Sequence, residues 1–235
     1  MKLKLYPLKP DEVHIWSASL LETRNDVTYF ASLLSESERE RANSFRFYRD
    51  QKQYTVARGI LRSLLARYLG KAPQTIEIVY GLWGKPCLAQ EKSLHFNISH
   101  ARDYALYAFT RRYEVGIDLE YIDTALDMES ISLNLFSPLE LNDWNALSFE
   151  HKIDIFFKYW VCKEAFLKTS GKGWLENKKE IPFIKTEIQE QQIDNPSKSP
   201  ITYPYCFKCI PGYSSALFVE GPSLRPVHCV WNQDS

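Results

Sequence analysis

Asp118 and Glu120 stand two residues apart in the stretch VGIDLE, residues 115–120. Read with period two, this is a strand. Val115, Ile117 and Leu119 take one face, and Gly116, Asp118 and Glu120 take the other. Carboxylates roughly 7 Å apart on one strand face can reach a common cation, one of them through water if need be. Oxygen-only ligation suits Mg2+ or Mn2+ better than zinc. An exposed hairpin face would carry the same acids harmlessly, and spacing alone leaves both readings open.

A second candidate lies in FFKYWVCKEAFLKTSGKG, residues 156–173. Trp160, Glu164 and Lys168 follow one another at i, i+4 and i+8, so a helix presents them on one face. Ile153, Phe157 and Trp160 make that face apolar further back, so Glu164 and Lys168 extend a stripe that begins in the core. An ordinary Glu–Lys pair on an amphipathic border is the competing reading. A third carboxylate beside Asp118 and Glu120 would demand a cation, because crowded carboxylates otherwise protonate.

The stretch FNISH, residues 96–100, supplies a hydroxyl and an imidazole, Ser99 and His100, at a strand end. Leu94, Phe96 and Ile98 face the core in this reading, with His95, Asn97 and Ser99 opposite. Such a pair could bind phosphate, and a plain surface histidine fits equally well. No G-x-S-x-G elbow supports a Ser-His nucleophile. Lys85, between Gly84 and Pro86 in a turn, is placed to meet an anion. Arg46, Arg49, Arg58 and Arg62 give the preceding helices a basic bias, and several of them converging would suit a polyphosphate.

The elements that must position these residues are legible in outline. An early strand covers 11–20. Ser35 and Glu38 form a capping box that opens a helix. A second helix covers about 50–69, with Val56, Ile60, Leu61, Leu64 and Leu65 as its apolar stripe and Gly70 as its stop. Residues 75–80 read as a strand, 81–86 as a turn, and LHFNIS, YALYAFT and VGIDLE as further strands. Ser137 and Glu140 form another capping box, with Pro138 at the first helical position. A long helix over 152–170 then ends at Gly171. Residues 189–200 read as a polar surface loop, and YPYCFKCI, SSALFVE and PVHCVW as closing strands.

Ser35 and Ser137 are offset by 102 residues, and Gly70 and Gly171 by 101. The spacing suggests a duplicated α+β unit of about 100 residues. Capping boxes and terminal glycines are common, so coincidence explains it too. Duplication predicts an N-terminal half, 1–105, a C-terminal half, 106–235, and a ligand cleft between them.

Composition sets outer bounds. The chain of 235 residues is 45% apolar and balances 29 Lys+Arg against 29 Asp+Glu, so no global field favours nucleic acid or a membrane surface. The N-terminus has no apolar signal run, and no segment reaches the roughly 18 apolar residues of a membrane span. The expectation is a cytoplasmic protein. Of five cysteines, Cys206 and Cys209 form a lone C-x-x-C with no second pair to complete a zinc site, which predicts reduced thiols.

Taken together, FNISH, VGIDLE and FFKYWVCKEAFLKTSGKG resemble the signature motifs of 4′-phosphopantetheinyl transferases. WGKP, residues 83–86, stands where the long, two-half Sfp type has its G-K-P. The resemblance spans about residues 30–175. It implies an α+β fold, a pseudo-two-fold duplicated α/β unit acting as a monomeric pseudo-dimer. It also implies transfer of the 4′-phosphopantetheine arm of coenzyme A to a serine of an apo acyl or peptidyl carrier protein, releasing adenosine 3′,5′-bisphosphate. Asp118, Glu120 and Glu164 match the Mg2+ acids, and Lys168 the lysine near the transferred phosphate. Ser99 and His100 match residues at the adenosine 3′-phosphate, and Lys85 a phosphate-binding lysine. Glu140 matches a further acid, without an assigned role. Arg39 and Arg41 fall where some relatives keep lysines.

On this reading Glu164 is the candidate base for the carrier serine, and Gly116 leaves room for the pyrophosphate. Two other functions stay open: a catalytically silent module that binds coenzyme A or carrier proteins, and another Mg2+-dependent phosphate enzyme. The absence of a P-loop motif counts against the last.

Overall fold

A computed structural model describes residues 5–21, 27–171 and 204–232. The expected polar loop at 189–200 lies outside the described residues. The chain runs β1 (Glu12–Ser19), α1 (Val27–Leu33), α2 (Glu36–Asn43), α3 (Tyr48–Leu69), a 3₁₀ turn at Pro73–Thr75, β2 (Ile78–Tyr80) and β3 (Pro86–Leu88). It continues through β4 (His95–Ala101), β5 (Tyr104–Thr110), β6 (Val115–Tyr121), α4 (Met128–Leu135), α5 (Pro138–Asn145) and α6 (Phe149–Ser170). The last strands are β7 (Tyr205–Phe207), β8 (Tyr213–Val219) and β9 (Arg225–Val230). The α+β expectation holds. Helices α1 and α4 are additions that periodicity did not reveal, and the strand expected at 75–80 shortens to β2 after the 3₁₀ turn.

Two sheets carry the fold, ordered β4-β5-β1-β9 and β6-β8-β7, and β2 and β3 form a separate hairpin. β1 pairs antiparallel with β5 and parallel with β9, so the last described strand returns to the first sheet. Alternation along β1 sends its side chains to two cores. Trp16 and Ala18 pack with Val56, Ile60 and Leu64 of α3. Val13 and Ile15 join Val115, Ile117 and Leu119 of β6 in a core shared by the two sheets. The face of β6 that carries Asp118 and Glu120 therefore points away from that shared core.

The paired landmarks recur in the structure. Both capping boxes form, at Ser35 with Glu38 and at Ser137 with Glu140. α3 and α6 are each 22 residues long, and both stop at a glycine in the left-handed region, Gly70 at φ 66° and Gly171 at φ 67°. Each capping glutamate also holds a buried cation from the long helix of its own repeat. Glu38 Oε2 accepts from Arg62 Nε at 2.5 Å, and Glu140 Oε2 accepts from Lys163 Nζ at 2.6 Å. The guanidinium also donates to the carbonyls of Pro73 and Ile76, and the ammonium to that of Leu135. Glu140, matched in sequence to a family acid, is thus committed to the cap of α5 and to Lys163.

Lys163 is completely buried. Glu140→Ala should therefore destabilise the fold by about 3–5 kcal/mol in urea unfolding, because a buried ammonium loses its carboxylate. The double variant Glu140→Leu/Lys163→Met should recover most of that loss.

Candidate active site

The site forms where edge strands of the two sheets meet. β4 and β6 do not share a backbone ladder, yet they run side by side. Asn97 Oδ1 accepts from the backbone N–H of Ile117 at 3.0 Å, and Ser99 Oγ accepts from that of Leu119 at 3.3 Å. Both contacts span 20 residues, so the strands run in the same direction. Asn97 and Ser99 lie on the face expected from sequence, opposite Phe96 and Ile98. They are buried against β6 rather than exposed at a strand end.

Ser99 sits at the centre of a short network. Its hydroxyl donates to Asp118 Oδ1 at 3.0 Å and accepts from Lys168 Nζ at 2.8 Å. Lys168 Nζ also lies 2.5 Å from Asp118 Oδ1. Asp118 is only 2% exposed, and its Oδ2 is buried with no partner in the protein. Glu120 is half-buried on the same strand face, and Glu164, also half-buried, precedes Lys168 by one helical turn. Among the described residues no three acidic, histidine or cysteine side chains converge at metal-ligand spacing. The charge that Asp118 faces here is the Lys168 ammonium.

Beside this network opens a cleft of about 240 Å3. Its walls are the turn Trp83–Pro86, Asn97 and Ile98 of β4, and Glu164, Leu167, Lys168 and Gly171 at the end of α6. Lys85 reaches it, but as part of a second network. Its ammonium donates to Glu114 Oε2 at 2.5 Å and to the Thr169 carbonyl at 2.8 Å. His95 Nδ1 lies 2.8 Å from Glu114 Oε1 and donates to that carboxylate. The His95 hydrogen bond, joined by the hydrogen bond and charge of Lys85, outweighs partial burial and pulls the Glu114 carboxyl down to about 2.

His100 stands at the exposed rim on β4. Surrounding protein, then the positive charges of Lys168 and Arg58, hold its pKa below the ordinary histidine value. Arg46 is not brought to the cleft. It is exposed, with its guanidinium over the ring of Phe47 at 5.4 Å. Arg58 stands over the rings of Tyr54 and Tyr80 and donates to the Tyr80 hydroxyl at 2.8 Å.

One expectation needs correction. Gly116 does not leave room for a pyrophosphate. A Cβ there would instead overlap the Ala165 carbonyl and Thr169, lying 2.6 Å from the Thr169 nitrogen. The glycine lets α6 lie directly against β6. The C-x-x-C cysteines are free thiols in separate surroundings, in line with the reading of ordinary thiols. Cys206 is in β7 and its thiol lies 2.9 Å from that of Cys162 on α6, while Cys209 falls beyond the strand.

Sequence reasoning also missed functional neighbours. Asn97 had a signal, since it alternates with Ser99 on a polar face inside an apolar strand. Glu114 had none, because it closes an ordinary charged turn, RRYE.

With α6 laid on β6 and β4 running beside β6, the three motifs meet at Ser99, Asp118 and Lys168. Two family models cover most of the chain. The model for the 4′-phosphopantetheinyl transferase N-terminal domain matches residues 16–111, and that for the 4′-phosphopantetheinyl transferase superfamily matches residues 114–216. The chain belongs to the 4′-phosphopantetheinyl transferase superfamily.

Individual relatives agree. The chain is 41% identical over 189 residues to the 4′-phosphopantetheinyl transferase HetI of Nostoc sp. strain PCC 7120, covering 79% of this chain and 80% of that one. It is 27% identical over 200 residues to Sfp of Bacillus subtilis strain 168, covering 83% and 86%. It is 31% identical over 153 residues to the human L-aminoadipate-semialdehyde dehydrogenase-phosphopantetheinyl transferase, covering 60% and 49%.

Two variants probe the junction itself. Asn97→Ala strips the Ile117 N–H of its acceptor in a buried seam and should cost about 1–3 kcal/mol in urea unfolding. Gly116→Ala should cost about 3 kcal/mol by overpacking the strand against α6. Coenzyme A binding by Gly116→Ala should fall only as far as its folded fraction falls, which separates a packing role from a ligand-facing one.

Proposed function

We propose that this 4′-phosphopantetheinyl transferase binds coenzyme A in the cleft beside Asp118, Glu164 and Lys168 and transfers its arm to a carrier serine. The observation that carries this reading is the Ser99–Asp118–Lys168 network, whose lysine lines a cleft walled by residues of both repeats. The cleft is smaller than the roughly 300–1,000 Å3 of a pocket for a whole drug-sized molecule. It suits one portion of an extended ligand, with the remainder along the surface. The N-terminal half, 1–105, and the C-terminal half, 106–235, are best divided slightly later, in the turn after Thr110, because β5 pairs along its length in the first sheet.

Asp118, Glu120 and Glu164 are the residues that would hold Mg2+, or Mn2+ in its place. Their donors are all oxygen, and the buried, unpartnered Oδ2 of Asp118 is a carboxylate oxygen suited to a cation. When bound, the cation supplies positive charge at the pyrophosphate. Every remaining role falls to this chain's own side chains. The carrier serine oxygen attacks the phosphorus of the pantetheine-bearing phosphate, and the bond to the bridging oxygen breaks. Adenosine 3′,5′-bisphosphate leaves with that oxygen. Glu164 takes the serine proton. Lys168, one helical turn away, donates to the phosphoryl oxygens as charge develops. Ser99 and Asp118 hold the Lys168 ammonium in place. Ser99 and His100 lie on the β4 side, where the 3′-phosphate of coenzyme A would be met.

With both repeats on one chain, a monomer completes the cleft. Five free thiols agree with a reducing, cytoplasmic setting. No helix among the described residues is long and apolar enough to cross a membrane. Fatty-acid, polyketide and peptide carriers all remain admissible partners.

Incubation of the protein with apo carrier, coenzyme A and Mg2+ should add one phosphopantetheine arm to the carrier, read by intact-protein mass spectrometry. Asp118→Ala should abolish the labelling, and Glu164→Gln should slow it on the order of 10²–10⁴-fold. Full labelling by either variant would overturn these assignments. Coenzyme A binding by the wild type without labelling would favour the silent-module reading.

A further inference from the structure

The turn that forms one wall of the cleft has little packing of its own. Leu82 is 87% exposed, Trp83 is half-exposed, and a Cβ at Gly84, φ 83°, would meet nothing within 4 Å. The turn closes on itself through Gly81 N–H to Lys85 O and Gly84 N–H to Gly81 O, both at 2.9 Å. Those bonds set its shape, and the buried Pro86, paired with Tyr80 in the β2–β3 ladder, holds its base. Lys85 supplies a further anchor on the cleft side. Its side chain is only 14% exposed, and its ammonium bridges Glu114 and the Thr169 carbonyl at the end of α6. The carbonyl end of a helix favours a cation, and the carboxylate adds a full opposite charge. Glu114 is in turn fixed from β4 by His95.

We propose that Glu114 is a positioning residue for coenzyme A capture: it fixes Lys85, and through Lys85 the Trp83–Pro86 wall of the cleft. The inference rests on the coenzyme A reading of the cleft given above. An ammonium has three N–H donors. Glu114 and Thr169 take two, which orients the third and leaves Lys85 aimed rather than swinging. Glu114 lies outside the cleft lining, so it acts through Lys85. A residue of this kind changes how well the ligand is held and leaves the chemical step alone.

The test is calorimetric titration of coenzyme A, with Mg2+ present, into the wild type, Glu114→Ala, Glu114→Gln, Lys85→Met and Glu114→Ala/Lys85→Met. Carrier-labelling kinetics accompany it. Glu114→Ala should weaken coenzyme A binding and raise its KM by about tenfold, with kcat within about twofold of wild type. Glu114→Gln should restore binding, because its amide oxygen accepts from Lys85 and its NH2 faces the His95 ring nitrogen. The double variant should bind no more weakly than Lys85→Met alone.

Wild-type affinity in Glu114→Ala, no rescue by Glu114→Gln, or additive losses in the double variant would each overturn the proposal. If Glu114→Ala does not fold, Lys85→Met breaks the same contact from the other side, and unchanged affinity there overturns it. A wild type that binds coenzyme A but labels no carrier leaves the positioning role standing and defeats the transfer reading. A wild type that binds no coenzyme A defeats both.

Discussion

The site depends on how two sheet edges satisfy each other without a ladder. β6 is the outer strand of its sheet and β4 the outer strand of the other. Buried donors on an edge strand must find acceptors, or each costs on the order of 1–3 kcal/mol. Here the acceptors are two short side chains, Asn97 and Ser99, rather than backbone carbonyls. Side-chain bridging holds the strands in register while leaving the face between them open to a helix and a ligand. It also explains why a serine, rather than a larger residue, stands at 99. The same oxygen that accepts from β6 also meets Asp118 and Lys168.

Duplication supplied two copies of one plan, and a small difference separates their uses. β1 reads VHIW over residues 13–16 where β6 reads VGID over 115–118. In the first copy His14 fills the space beside the strand. Its Nδ1 lies 2.7 Å from the Tyr68 hydroxyl, which also accepts from Trp16 Nε1 at 2.8 Å. That polar cluster ties α3 to β1 through side chains. In the second copy Gly116 clears the space, Thr169 replaces the tyrosine, and α6 lies on β6 itself. Asp118 and Lys168 then come within 2.5 Å, whereas Trp16 at the corresponding strand position is core. The first copy keeps the scaffold and the second carries the charged site.

This history explains what the sequence displayed. The capping boxes, the two terminal glycines, the alternation of VGIDLE and the i, i+4, i+8 stripe of α6 are local signals. Each depends on residues close in the chain, so each could be read and was realised. The proximity of Asp118, Ser99 and Lys168 is a tertiary outcome of 50 and 69 residues of separation, and only a family resemblance suggested it. The sequence marks Lys85 in its turn but gives no sign that Glu114 and His95 are what holds it. Gly116 misled for the same reason. A glycine signals close approach, but the sequence does not say whether a ligand or a helix approaches, and here it is a helix.

The charge arrangement bears on the proposed cation independently of any relative. Asp118 and Glu120 stand on β6 and Glu164 on α6, and of the three it is Asp118 that meets the ammonium of Lys168 directly. The other lysine of the cleft, Lys85, is held on a carboxylate of its own. A pyrophosphate drawn to Lys168 would meet the Asp118 carboxylate as well, and Coulomb repulsion between like charges at a few ångströms costs several kcal/mol in a partly buried site. Either the cleft does not take a polyphosphate, or the ligand arrives with positive charge. A divalent ion resolves the conflict, because carboxylate and phosphate oxygens then share one partner instead of opposing each other. On the proposed reading, the acid that would repel the substrate alone would hold it through that ion, and Lys168 would follow the charge that develops on the transferred phosphoryl group.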